Sequence, residues 1–169
     1  MRPGPILAAA FVTGCLAGAV HAQDDAFDPS AHDIENGKEI YETDAQCLSC
    51  HGWDGNGRGR NPRAPGKAAK LRDTTLPAWA VREAIACGRP GTVMPYHDRM
   101  AYRDDRCFGL VMADFEGDTP PEEGESIRPE EMDDLLAYLM THIIGEGETT
   151  LEDCHEFYRP GHRNCRGLD

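Results

Sequence analysis

A chain of 169 residues is the length of one ordinary domain, with no need of a second. Lys and Arg number 17 against 30 Asp and Glu, a formal net charge of -13 that argues against nucleic acid and for partners carrying a positive patch. With 18 Gly and 12 Pro and an ordinary share of apolar residues, the chain alone would build only a modest core, so a buried apolar group is expected to reinforce it.

Met1-Arg2, the apolar run from Ile6 to Val20 and the small-residue boundary Val20-His21-Ala22 read as a secretory signal peptide, residues 1–22, cleaved after Ala22. The apolar run is too short for a membrane span. Val12-Thr13-Gly14-Cys15 offers an alternative, a lipoprotein processing site in which Cys15 carries the anchor. Residues 23–32 are polar, acidic and contain Pro29, and are expected to form a flexible arm.

Ser30 or Asp33 can cap a first helix running through Ile34, Gly37, Ile40 and Tyr41. Gly37 lowers helix propensity, so its position predicts close packing of another element, with Tyr138 as the large residue against the small one. The helix delivers the chain to Cys47-Leu48-Ser49-Cys50-His51. Two cysteines separated by two residues, with a histidine following at once, form the attachment signal for a c-type haem. Cys47 and Cys50 would each add a thiol to one vinyl group, and the His51 imidazole would reach the iron. A zinc half-site or a thioredoxin-like pair would need a second ligand pair or a βαβ setting, and neither surrounds Cys47.

From Gly52 to Arg72 the chain is Gly- and Pro-rich and is expected to wrap the haem edge as an irregular loop. The fragment from Asp54 to Gly59 resembles part of a calcium loop, but Arg58 stands where an oxygen ligand is needed and the closing glutamate is missing. Arg58, Arg60 and Arg63 are candidates for contacts with the haem propionates, or for a solvated basic loop.

A second helix is predicted from Thr74 or Thr75 as cap, with Pro77 in its first turn, through Trp79, Val81, Ala84 and Ile85 to Gly88. Beyond it, the Gly/Pro-framed loop Arg89-Pro90-Gly91-Thr92-Val93-Met94-Pro95 presents Met94 as the second axial ligand, since a Met/His pair closes the iron and raises its potential. The alternative for Met94 is core filling, and His97, Met100 and Met112 are the fallback ligands. An acidic insertion with Pro120 and Pro121 follows Arg103, and a third helix opens at Pro129 with an apolar stripe of Met132, Leu135, Leu136, Leu139 and Ile143. Four further cysteines favour disulfides, Cys87–Cys107 and Cys154–Cys165 being the pairs nearest in sequence. A zinc set of Cys154, His155, His162 and Cys165 is the competing arrangement.

The segments from Glu35 to Tyr41 and from Cys47 to Gly52, the Met94-Pro95 loop and the stretch from Asp134 to Leu139 together resemble class I c-type cytochromes. The resemblance, which covers Ile34 to Ile143, implies an all-α cytochrome c fold with helices around one covalent haem c and iron ligated by His51 and Met94; the cytochrome domain is expected over residues 33–145, and the pairing of Cys154 with Cys165 would staple the tail over 146–169. More narrowly, the stretch from Ala86 to Pro95 and that from Tyr102 to Gly109 resemble the four-cysteine c-type cytochromes associated with methanol metabolism. That likeness implies a periplasmic electron carrier rather than an enzyme. Its donor would be a quinoprotein dehydrogenase containing pyrroloquinoline quinone (PQQ), and its acceptor another cytochrome or a terminal oxidase. A haem-based gas-binding or sensor protein, and a fixed relay subunit of a larger redox complex, are the alternatives.

Overall fold

Pro129, whose ring presets a helical φ and whose missing N–H goes unneeded in a first turn, opens α4 (Pro129–His142), the longest helix among the described residues. The Glu131 carboxylate accepts from the Arg128 backbone N–H at 2.9 Å, satisfying one of the donors that a helix start leaves over. The computed structural model describes residues 27–59, 68–116 and 119–168. The predicted signal peptide and Cys15 lie outside the described residues, as do Arg60 and Arg63.

Among the described residues there are five α-helices and no strand: α1 (Ile34–Glu39), α2 (Cys47–His51), α3 (Ala78–Cys87), α4 and α5 (Leu151–Phe157). The all-α expectation holds, and no described helix is long and apolar enough to cross a membrane.

Asp33 caps α1 by accepting from the Asn36 N–H at 3.1 Å, while Ser30 belongs to a preceding 3₁₀ turn. The helix does not run unbroken to Cys47. After Glu39 it widens into a π-helical turn, Ile40–Asp44, and Gln46 then takes a left-handed φ of 54° that redirects the chain into α2. Gly37 meets α4 at the expected place: a Cβ there would lie 2.6 Å from the Asp134 carbonyl carbon and 2.9 Å from the Tyr138 Cβ. Asp134 locks the crossing by accepting from the Asp33 N–H at 3.0 Å and the Asn36 side-chain amide at 2.8 Å.

The described part of the predicted arm is not loose. Phe27 stacks on His32 with ring centroids 5.1 Å apart and packs against the core, and the 3₁₀ turn Pro29–Ala31 lies on α4. An aromatic residue with a surface to bury outweighed the polar composition around it. The second predicted helix also differs in detail: Pro77 is its capping residue rather than part of its first turn, neither Thr74 nor Thr75 caps it, and Trp79 faces outward at 63 % exposure while Val81 and Ile85 are buried.

The main core gathers Ile40 and Tyr41, Val81 and Ile85 of α3, and the α4 stripe from Met132 to Leu139 with Ile143 and Ile144. A second, smaller cluster forms around Cys87, Ala101, Tyr102 and Cys107, with Tyr96 and Phe115 edge-on to the Tyr102 ring. Both expected disulfides are present, with Cα–Cα separations of 5.4 Å for Cys87–Cys107 and 5.5 Å for Cys154–Cys165. Replacing Cys87 and Cys107 together by alanine is expected to cost about 3 kcal/mol, from the closure entropy of the loop between them. Urea titration of the two proteins checks this, and an unchanged midpoint would show that Tyr102 and its neighbours hold the small cluster alone.

The tail is folded rather than merely stapled. Thr150 caps α5 by accepting from the Asp153 N–H at 3.2 Å, and Trp53 packs against both Phe157 and Tyr158, each ring centroid 5.4 Å away. The disulfide takes both tail sulfurs, which sets aside the zinc alternative.

Candidate functional site

One helical turn carries all three residues of the attachment motif, so the two thiols of Cys47 and Cys50 and the imidazole of His51 leave α2 within a few ångströms of backbone. The Gly-rich segment behind the turn is laced to it rather than draped over it. The Gly57 N–H donates to the His51 carbonyl at 2.8 Å and the Gly59 N–H to the Cys50 carbonyl at 2.9 Å. A side chain at Gly59 would strike the backbone of Ser49 and Cys50, which is why this stretch cannot carry larger residues there. Tyr41, fully buried, donates its hydroxyl to the Gly52 carbonyl at 2.7 Å and fixes the exit of the turn to the helix before it.

His51 Nδ1 lies 3.0 Å from the Ala69 carbonyl, which accepts the Nδ1–H and leaves Nε2 as the nitrogen that can meet a metal. Burial holds the imidazole below its ordinary range, against the pull of that carbonyl, so the neutral ligand form prevails. Burial likewise pushes the Cys47 thiol up to about 12. Two thiols and one neutral imidazole on a single turn are the donors that a covalently attached haem would take, and no cluster of three or more His, Cys, Asp or Glu that could hold a metal ion occurs among the described residues.

Met94 sits in the loop after α3, partly buried against the main core, the same cluster that Cys47 and Leu48 border. The loop is held from two sides. The Cys87 disulfide anchors its start, and the acidic insertion pairs with its end: the Tyr96 N–H donates to the Glu122 carbonyl and the Gly124 N–H to the Tyr96 carbonyl, both at 2.9 Å. Of the fallback ligands, His97 is buried with Nδ1 2.6 Å from the Glu125 carbonyl, and Met100 and Met112 are exposed.

Arg58 is exposed, its backbone N–H held by the Asn56 side chain at 2.9 Å. Arg60, the other residue expected at the propionates, lies outside the described residues. Asp54, in the calcium-like fragment, is buried and accepts from the side chains of Asn56 at 2.7 Å and Thr149 at 2.6 Å, which makes it a bracket between loop and tail. The residues that sequence reasoning missed are Ala69, whose contribution is a backbone carbonyl, and Arg72, which the surrounding basic run disguised as a solvated charge.

An all-α chain that offers two thiols and one imidazole from a single turn, with the imidazole oriented from behind, has the donors that a covalently attached haem would need. Residues 34–142, well over half the chain, match the Cytochrome c family, and the chain belongs to it. It is thereby a haem-containing electron-transfer protein of the c type. Comparison with curated proteins and with solved structures gave no match.

Proposed function

We propose that this cytochrome is a monohaem electron carrier of the periplasm, reduced by a PQQ-containing methanol or alcohol dehydrogenase and oxidised by another cytochrome or a terminal oxidase. Cys47 and Cys50 would hold the haem through thioethers, His51 and Met94 would be the axial ligands, and Arg58 and Arg60 would meet the propionates. The bound haem supplies a one-electron ferrous/ferric couple. The chain's own residues set the potential, exclude water and present one edge to partners.

The observation that carries this reading is the doubly fastened Met94 loop. A methionine that merely fills core needs no disulfide at one end of its loop and a backbone ladder at the other, whereas an axial thioether must be held at a fixed depth for both oxidation states. The likeness of the Cys87–Cys107 region to methanol-related cytochromes supports the choice of donor. The charge of -13 supports a transient encounter steered by electrostatics.

Stopped-flow reduction of the ferric protein by a purified quinoprotein alcohol dehydrogenase tests it. Reduction within seconds, slowing as sodium chloride is raised through the physiological range, is the expected result. No reduction by the quinoprotein, with prompt reduction by ascorbate, would remove this donor and leave the carrier role.

A further inference from the structure

The Ala69 carbonyl that orients His51 belongs to a short segment that is also attached, through Lys70 and Arg72, to the C-terminal tail, beyond the last residue of the family match. Arg72 is 2 % exposed. Its Nε donates to the Gly147 carbonyl at 2.7 Å, and its Nη2 donates to the Asp153 carboxylate at 3.0 Å and the Glu146 carbonyl at 3.3 Å. The Arg72 carbonyl in turn accepts from the Gly147 N–H at 3.2 Å, and Lys70 pairs with Glu148 at 3.0 Å. On its inner side the segment is fixed by the Leu71 N–H, which donates to the Gly55 carbonyl at 2.7 Å.

A buried guanidinium paired with one carboxylate gains little net stability, because desolvation offsets the attraction. What the planar fork does supply is direction: several acceptors are engaged at fixed angles, which a lysine cannot reproduce. Three residues after Ala69, that rigidity fixes where the carbonyl stands relative to the imidazole.

We propose that the tail, residues 146–168, is a positioning device for the axial histidine, acting through Arg72 on the Ala69 carbonyl and so on His51. The proposal rests on His51 as an iron ligand. A donated Nδ1–H makes the imidazole a stronger base toward the metal and favours the ferric state, so loosening the carbonyl raises the reduction potential.

The test is Arg72→Lys in the haem-loaded full chain, which keeps the net charge and removes the fork. Two quantities are read: the midpoint potential, and the solvent exchange of the His51 Nδ1–H in the hyperfine-shifted proton spectrum of the ferric protein. A raised potential together with exchange roughly tenfold faster is expected, the factor implied by losing the net contribution of one hydrogen bond. A folded, haem-loaded variant with wild-type potential and exchange overturns the proposal. Should Arg72→Lys fail to load haem, Asp153→Asn is compared with Glu152→Gln, a neighbouring loss of the same charge from an exposed position. A larger shift in both quantities for Asp153→Asn supports the device, and equal shifts overturn it. Absence of a hyperfine-shifted His51 Nδ1–H from the wild-type protein would strike down axial ligation itself, and with it the device.

Discussion

Substituting Met94 by alanine is expected to lower the reduction potential by on the order of 0.2 V, a fraction of the roughly 0.8 V that axial ligands span in haem proteins. On the proposed ligation, loss of the sulfur would remove the ligand that favours ferrous iron and would leave His51 as the single protein ligand. Two optical signs accompany it: the weak far-red absorption of sulfur on ferric iron disappears, and the reduced variant binds carbon monoxide rapidly where the wild type resists it. The surroundings make the loss hard to repair. His97 is committed to the Glu125 carbonyl at 2.6 Å, and a side chain at Gly124, across from it, would come within 2.8 Å of its ring, so the histidine has little freedom to swing. If the wild type itself binds carbon monoxide promptly, a gas-binding or sensor role replaces the carrier.

Gly37→Ala is expected to destabilise the protein by about 3 kcal/mol, toward the upper end of the usual cost of overpacking, even after roughly 1 kcal/mol of improved helix propensity. The new methyl would press on the Asp134 carbonyl, a backbone group inside a helix that cannot step aside, and on the Tyr138 Cβ at 2.9 Å. To admit it, α1 must lift from α4, which parts Asn36 from Asp134 and the Tyr41 ring from Tyr138, now 5.6 Å centroid to centroid. Thermal unfolding followed by circular dichroism should show a fall of roughly 10 °C in the midpoint. An unchanged midpoint would mean that the two helices do not meet as closely in solution. Because Tyr41 also fixes the Gly52 carbonyl, the fraction of chains that acquire haem during expression is expected to fall alongside stability.

The attachment turn was legible because the chemistry dictates both residue type and spacing, and Gly37 because a helix tolerates glycine only for a reason that lies outside the helix. Cys87–Cys107 and Cys154–Cys165 followed from nearness along the chain. What escaped was carried by backbone or by context. The Ala69 carbonyl is invisible in a sequence, since any residue there would present one. Arg72 lies in a run of basic residues, and nothing local separates it from Arg58, though one is buried among carbonyls and the other exposed. Nothing in the acidic insertion's composition announces that its main chain pairs with Tyr96. Phe27 and Phe157 each lie in a polar stretch that docks because a single aromatic ring finds a surface.

The two disulfides close loops between cysteines only 20 and 11 positions apart, and neither loop contains the turn bearing Cys47 and Cys50. Short closures are the most probable encounters of an unfolded polypeptide, which favours both of these pairings. The same rule makes Cys47 and Cys50, nearer still in sequence, the quickest pair to oxidise with each other, so a porphyrin added there would need both thiols kept reduced until it arrives.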